Sequence, residues 1–250
     1  MLKSFAISML VVSILSGCSH SRSAKVGIQE ENLAFIPARI AVLPCQEWPY
    51  VARYKNQAVS NFTPEERKEV CDAFDKFVIS GFKGQPYMRG LSPKLVAKLL
   101  KKSGQETMLS QINKLWHQTA QDCTDCTGPI SYYKDSIANR DSWQQWLNKL
   151  SLNAYNSDAI LLPLVRYTQK GRLDDRGLAI AYKRVGLSLL LIDTNNGRLI
   201  WAGGRDAQAN NRKLDSEAFL SSLELPKWDQ ISSRLLVQDI WAEFPGRQNY

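Results

Sequence analysis

Between Ser157 and Tyr167 the chain reads Ser-Asp-Ala-Ile-Leu-Leu-Pro-Leu-Val-Arg-Tyr, an apolar run of strand length with no polar alternation. A strand of that kind has no face to give to water, so it belongs at the centre of a sheet that is covered on both sides. Two more strand-like runs follow, Arg184 to Asp193 and Gly197 to Arg205, with Thr194-Asn195-Asn196 between them. Asn196-Gly197 supplies two residues that accept positive φ, which predicts a tight hairpin turn. Gly203-Gly204 predicts a bulge or kink in the return strand. The stretch from Arg166 to Arg184 is charged and reads as a short loop. The run Asp193 to Gly197 has a superficial likeness to a calcium loop. Its glycine stands fifth instead of sixth, and Gly204 occupies the position that needs glutamate, so the hairpin reading wins.

Upstream, Ala38 to Cys45 is a short apolar run rich in β-branched residues and stopped by Pro44, hence another buried strand. An aromatic loop, Trp48-Pro49-Tyr50, comes next. Thr63, Pro64 and Glu66 form a helix start with a capping box, and Val70, Phe74, Phe77 and Val78 then share one face. Ser92-Pro93 starts a second helix with Leu95, Val96, Leu99 and Leu100 inward and Lys94, Lys98, Lys101 and Lys102 outward. Those lysines read as a solvated face in preference to a docking stripe. A third helical stretch spans 106–118, and a fourth begins at Asp141 and runs to about Asn156. Trp143 and Trp146 lie three residues apart on the fourth helix, a spacing that reads as core packing before sugar binding. Pro226 to Glu243 reads as a closing helix. The sum is an α/β domain: a single mixed sheet with a long C-terminal hairpin, covered by amphipathic helices.

The N-terminus tells a different story. Lys3 precedes an apolar stretch from Phe5 to Leu15, followed by Ser16-Gly17-Cys18. The stretch is shorter than the roughly 20 residues a membrane-spanning helix needs, so it reads as a secretory leader that is removed. Leu15-Ser16-Gly17-Cys18 resembles the lipobox of bacterial lipoproteins, and the resemblance implies that Cys18 becomes the acylated first residue. Ser19 in place of aspartate then implies an outer-membrane address facing the periplasm. The expected division is a leader over 1–17, a lipidated flexible tether over 18–37 and one periplasmic domain over 38–250. A tether of about 20 residues reaches at most roughly 70 Å. The formal charge of +8 favours anionic surroundings, and export excludes nucleic acid as a partner.

Of five cysteines, four remain once Cys18 is set apart, an even number in a compartment that permits disulfides. Three pairings are open. Cys123 with Cys126 and Cys45 with Cys71 is the favoured one, the first pair being local and the second tying a strand end to the following helix. A redox role for Cys123-Thr124-Asp125-Cys126 is disfavoured, because Asp122 and Asp125 raise the thiol pKa and Gly128-Pro129 makes a loop. His117 is the one histidine outside the tether. Neither a metal site nor a haem attachment is expected, the latter because Thr127 stands where histidine is required, and no cofactor is implied.

Four sequence features together resemble envelope lipoproteins of the LpoB type, a fold shared with the N-terminal domain of TolB and the periplasmic domain of CsgG. They are Ile40-Ala41-Val42-Leu43-Pro44, Ser157 to Pro163, the hairpin from Gly186 to Trp201, and Glu243-Phe244-Pro245. The resemblance implies a non-enzymatic scaffold or accessory subunit with an envelope protein as partner, and it leaves room for an oligomer. The short charged loop argues against a pore, and the short tether against a peptidoglycan-synthase activator. Hydrolysis is the rival reading. No Gly-x-Ser-x-Gly elbow is present, whereas a carboxylate pair such as Asp174 with Asp175 is more simply loop solvation. Two surfaces are candidates for contact: Trp48 with Tyr50, and the basic set Arg166, Lys170, Arg172 and Arg176.

Overall fold

A computed structural model describes residues 24–29, 36–47, 64–105, 107, 110, 129–175, 178–212 and 240–246. The strands are β1 (Ala24–Gln29), β2 (Arg39–Val42), β3 (Gln46–Glu47), β4 (Arg89–Leu91), β5 (Ala159–Asp175), β6 (Leu178–Asp193) and β7 (Leu199–Arg212). They form one sheet in the order β1-β7-β6-β5-β2-β4, with β3 also against β5. Pairing is parallel among β4, β2, β5 and β3 and antiparallel from β5 through β6 and β7 to β1, so the sheet is mixed. The described helices are α1 (Pro64–Ser80), α2 (Pro93–Lys102), α3 (Pro129–Tyr132, continued by a π-turn through Ile137) and α4 (Asp141–Asn153). No described helix is long and apolar enough to cross a membrane.

Strand alternation explains why the central run carries no polar face. Ile40, Val42, Leu161, Leu187, Leu189 and Leu191 meet Val70, Phe74 and Val78 of α1 on one side. Ala41, Leu43, Ile160, Leu162, Leu164, Leu190 and Ile192 meet Val96, Leu100, Trp143, Trp146, Leu147 and Leu150 of α2 and α4 on the other. Both faces are dry, so neighbouring residues of β5 are apolar whichever way they point. The helix starts follow their local code: Ser92 accepts from Leu95 N–H at 3.2 Å with Pro93 in the first position. The expected cap at Thr63 lies outside the described residues, as does nearly all of the third helical stretch.

One end of the sheet is stitched by Ser157-Asp158. Asp158 Oδ2 accepts from Ala38 N–H at 2.9 Å and from Arg39 N–H at 2.8 Å, which ties β2 to the start of β5. Thr194 Oγ1 donates to the carbonyls of Ser157 (2.7 Å) and Asp158 (2.9 Å), tying in the end of β6.

Five expectations need correction. The stretch 18–37, expected as a flexible tether, contains a strand, Ala24–Gln29, on the edge of β7. The charged stretch from Arg166 to Arg184 is not a loop: β5 runs 17 residues and β6 16, paired residue by residue out to Asp175 and Leu178. The length argument against a pore therefore falls. Gly203 and Gly204 sit in regular register, and the irregularity of β7 is between Leu199 and Trp201. Gly203 is required for another reason, since a Cβ there would lie 2.4 Å from the Trp201 ring. In the turn, Gly197 alone has positive φ (66°), and Gly197 N–H bonds the Asp193 carbonyl at 2.9 Å, so the hairpin closes through a wider loop than expected. Finally, the fourth helix stops at Asn153, where Tyr155 and Asn156 turn left-handed. Of the expected closing helix, the described part is its end, a 3-10 turn at Trp241–Glu243; the rest lies outside the described residues.

Candidate interaction surface

At the carboxyl ends of the parallel strands, β2 ends at Val42 and the chain passes through Pro44 and Cys45 into β3, still beside β5. Cys45 there forms a disulfide with Cys71, Cα to Cα 5.2 Å. Asp75 lies one helical turn beyond Cys71, and its Oδ1 accepts the Cys45 N–H at 2.9 Å. Burial pushes the Asp75 carboxyl up to about 7; the Cys45 hydrogen bond opposes the shift, and the nearby Asp72 carboxylate adds to it. Asp72 in turn pairs with Lys68 on the exposed side of α1. Gln46 follows Cys45 into β3, buried, with its Oε1 lacking a hydrogen-bond partner. The cluster is a latch with one ionisable member: a covalent bond, a backbone hydrogen bond and a carboxyl that titrates near neutrality. Asp75 gives little sign in sequence, because it sits beside the apolar face of α1 between Phe74 and Phe77 and its burial depends on what packs there.

The expected contact residues divide between described and undescribed parts. Trp48, Tyr50, Arg176, Cys123 and Cys126 lie outside the described residues, as does Cys18. Arg166, Lys170 and Arg172 lie on β5, with Lys170 directly opposite Lys183 and Arg172 opposite Ala181 on β6. Arg166 falls at the register shift between Val165 and Tyr167. Lys94, Lys98, Lys101 and Lys102 are exposed along α2. Trp143 and Trp146 stack on each other with centroids 5.2 Å apart inside the core, so the sugar-binding alternative is excluded for Trp143, which is fully buried.

Across the sheet, in the row Glu47–Val165–Leu187–Arg205, Arg205 is buried and pairs with Glu243 at 3.0 Å, also donating to the Gly204 carbonyl at 2.8 Å. Phe82, Trp201, Trp241 and Phe244 pack on one another with ring centroids 4.6 to 5.8 Å apart. The Glu243-Phe244 segment thus closes the α1 side of the core. Among the described residues no three His, Cys, Asp or Glu side chains gather into a metal-binding group.

No family model matches the chain, and no curated protein matches its sequence. Similar solved structures include lipoprotein GNA1162 from Neisseria meningitidis, at 15% identity and TM-score 0.36, covering 81% of this chain and 97% of that one. The PelC dodecamer from Paraburkholderia phytofirmans is 11% identical, TM-score 0.36, covering 91% of this chain and 100% of that one. The hypothetical protein CT253 from Chlamydia trachomatis is 10% identical, TM-score 0.35, covering 83% and 93%. Likenesses at TM-scores this low carry no argument, and they do not establish kinship with the LpoB, TolB and CsgG group.

Proposed function

We propose that the protein is a lipoprotein of the bacterial outer membrane, held by acyl chains on Cys18, which serves as a non-enzymatic scaffold or accessory subunit of an envelope machine at the periplasmic face. The observation that carries the reading is the Cys45–Cys71 disulfide in a chain whose leader ends in Leu-Ser-Gly-Cys. Disulfides of this kind persist in exported compartments and are rare in reducing ones. The edge strand β1 leaves a tether too short to carry the domain far from its membrane, which favours a partner at the outer membrane over a synthase across the cell wall. The test is the mass of the mature N-terminal peptide together with the partition of a Cys18→Ser chain. Acylated Cys18 and release of the variant from membranes are expected; an unacylated chain, or a variant that partitions as firmly as the parent, sinks the reading. Crosslinking in the intact envelope then identifies the partner.

One observation favours a second reading. A carboxyl that is half protonated near pH 7 suits a general acid, and Asp72 stands close enough to influence Asp75. Release of fragments from labelled peptidoglycan by the wild-type chain, lost in Asp75→Asn, would favour a hydrolase. Intact peptidoglycan leaves the latch role.

A further inference from the structure

Arg39 opens β2 and Arg89 opens β4, and the two are direct register partners on neighbouring parallel strands, their Cα atoms about 5 Å apart. Two residues further on, Ala41 and Leu91 face the α4 side of the core, and strand alternation puts both arginines on that same side. Both are exposed. Arg39 Nη1 donates to the Tyr155 carbonyl at 3.0 Å. Asp158, beside Arg39 at the start of β5, has its Oδ2 committed to the Ala38 and Arg39 amides. Among the described residues neither guanidinium has a carboxylate partner. Two neighbouring cations without a counter-charge repel one another, so the pair favours an anion supplied from outside.

Among the described residues the exposed large hydrophobic side chains are Ile36, Tyr87, Leu152 and Tyr155. All four belong to this end of the sheet: Ile36 and Tyr87 lie just before β2 and β4, Leu152 in the last turn of α4, and Tyr155 in the loop that enters β5. Tyr87, 72% exposed, stands on the β4 side of the arginine pair, and Tyr155, 58% exposed, on the β5 side. Tyr155 has a φ of +55° and Asn156 of +51°. Left-handed backbone favours glycine or asparagine over tyrosine. Residue 155 is therefore tyrosine in spite of its backbone, with its ring in water and its carbonyl turned to Arg39. Tyrosine and arginine are the residue types in which protein interfaces concentrate their binding energy.

The path of the N-terminus favours protein over lipid as the occupant. β1 begins at Ala24 in the row Ala24–Asp206–Gly186–Tyr167, and the chain enters it from the side away from Arg39. Strand rise and strand spacing put Ala24 roughly 30 Å from Arg39. Cys18 is six residues before Ala24, a span of at most about 21 Å. Those six residues cannot bring the lipid-bearing Cys18 to the arginines, which leaves this end of the sheet for the periplasm. We propose that it binds an acidic segment of a partner protein, with carboxylates on Arg39 and Arg89 and apolar side chains against Tyr87, Tyr155 and Leu152. The proposal rests on the scaffold reading above and adds the contact surface and the chemistry of the partner.

The test puts a photoactivatable benzophenone side chain in place of Tyr87, or in place of Tyr155, in the full acylated chain and irradiates the intact envelope. Both positions are expected to give an adduct with one and the same protein, mapped to a segment rich in Asp and Glu. Arg89→Glu should lower the adduct yield about tenfold. Its urea midpoint should match the parent, because the Arg89 side chain makes no hydrogen bond or ion pair among the described residues. Adducts that keep full yield in Arg89→Glu overturn the proposal, as do adducts with phospholipid or with a second copy of the chain. Absence of adducts at both tyrosines while a probe at Lys98 of α2 captures a partner also overturns it, and leaves the scaffold reading standing with a different surface. Absence at all three positions rejects the scaffold reading together with the proposal.

Discussion

At pH 7 Asp75 is about half protonated in the folded chain, since burial raises its carboxyl to about 7 from an ordinary value of 3.8. Folding takes up a proton between those values. The contribution of Asp75 to stability is thus complete below about pH 4 and is lost as pH rises through about 7. Asp75→Asn keeps an oxygen for the Cys45 N–H and removes the charge. It is expected to match the wild type near pH 4 and to exceed it near pH 8 by an amount on the order of a few kcal/mol. Urea midpoints at both pH values check this, and an equal difference at the two would refute the titration. Tyr133 works by satisfaction of polar groups instead. Its hydroxyl donates to the Gly197 carbonyl and accepts from Trp143 Nε1–H at 3.0 Å, all within the core. Burial also pushes its ionisation well above the ordinary range. Tyr133→Phe leaves two buried groups unpaired and should cost about 1–3 kcal/mol in denaturant unfolding.

Among the elements, the β6–β7 turn depends most on a helix that is distant in sequence. Gln144 of α4 donates to the Ala138 and Asn196 carbonyls, each at 2.9 Å. A Cβ on Gly197 would stand 2.2 Å from Gln144 Nε2, at a φ of +66°. Gly197→Ala is therefore expected to lose both the turn geometry and the clamp, about 1–3 kcal/mol. Gly104 supplies the control: its φ is +70° with nothing within 4 Å of an added Cβ, so Gly104→Ala bears the backbone cost alone. Equal losses in the two variants, by thermal unfolding, would show that the Gln144 clamp contributes nothing. The long hairpin shows how an element can hide in sequence. Gln169 to Tyr182 looks like a loop because its charges interrupt the apolar pattern, yet charge is compatible with strand wherever a face meets water or headgroups. β1 hid for a related reason. Ala24, Val26 and Ile28 alternate with Lys25, Gly27 and Gln29, a period-two signal too brief to stand out until β7 offers an edge.

For the whole molecule, the Cys45–Cys71 bond closes a loop with a sequence separation of 26 across the parallel edge of the sheet. Chain-entropy arguments give it about 3.5 kcal/mol of stabilisation. Reductant, or Cys45→Ser with Cys71→Ser, should lower the unfolding free energy by about that much; urea curves unchanged by reductant would deny the bond its role. The faces of α1, α2 and α4, the buried β5 core and the Ser92 cap all follow from patterns within one or two turns of chain. Periods of 3.6 and 2 are local consequences of backbone geometry, which any stretch carries with it. The β1 edge, the extension of β5 and β6, the raised Asp75 carboxyl and the buried Arg205–Glu243 pair follow no such period. Each depends on what a remote segment presents: an unpaired edge, a continuing register, a covering chain that excludes water, a counter-charge. Their free energies exist only once those segments are brought together, and so they became visible in the folded chain alone.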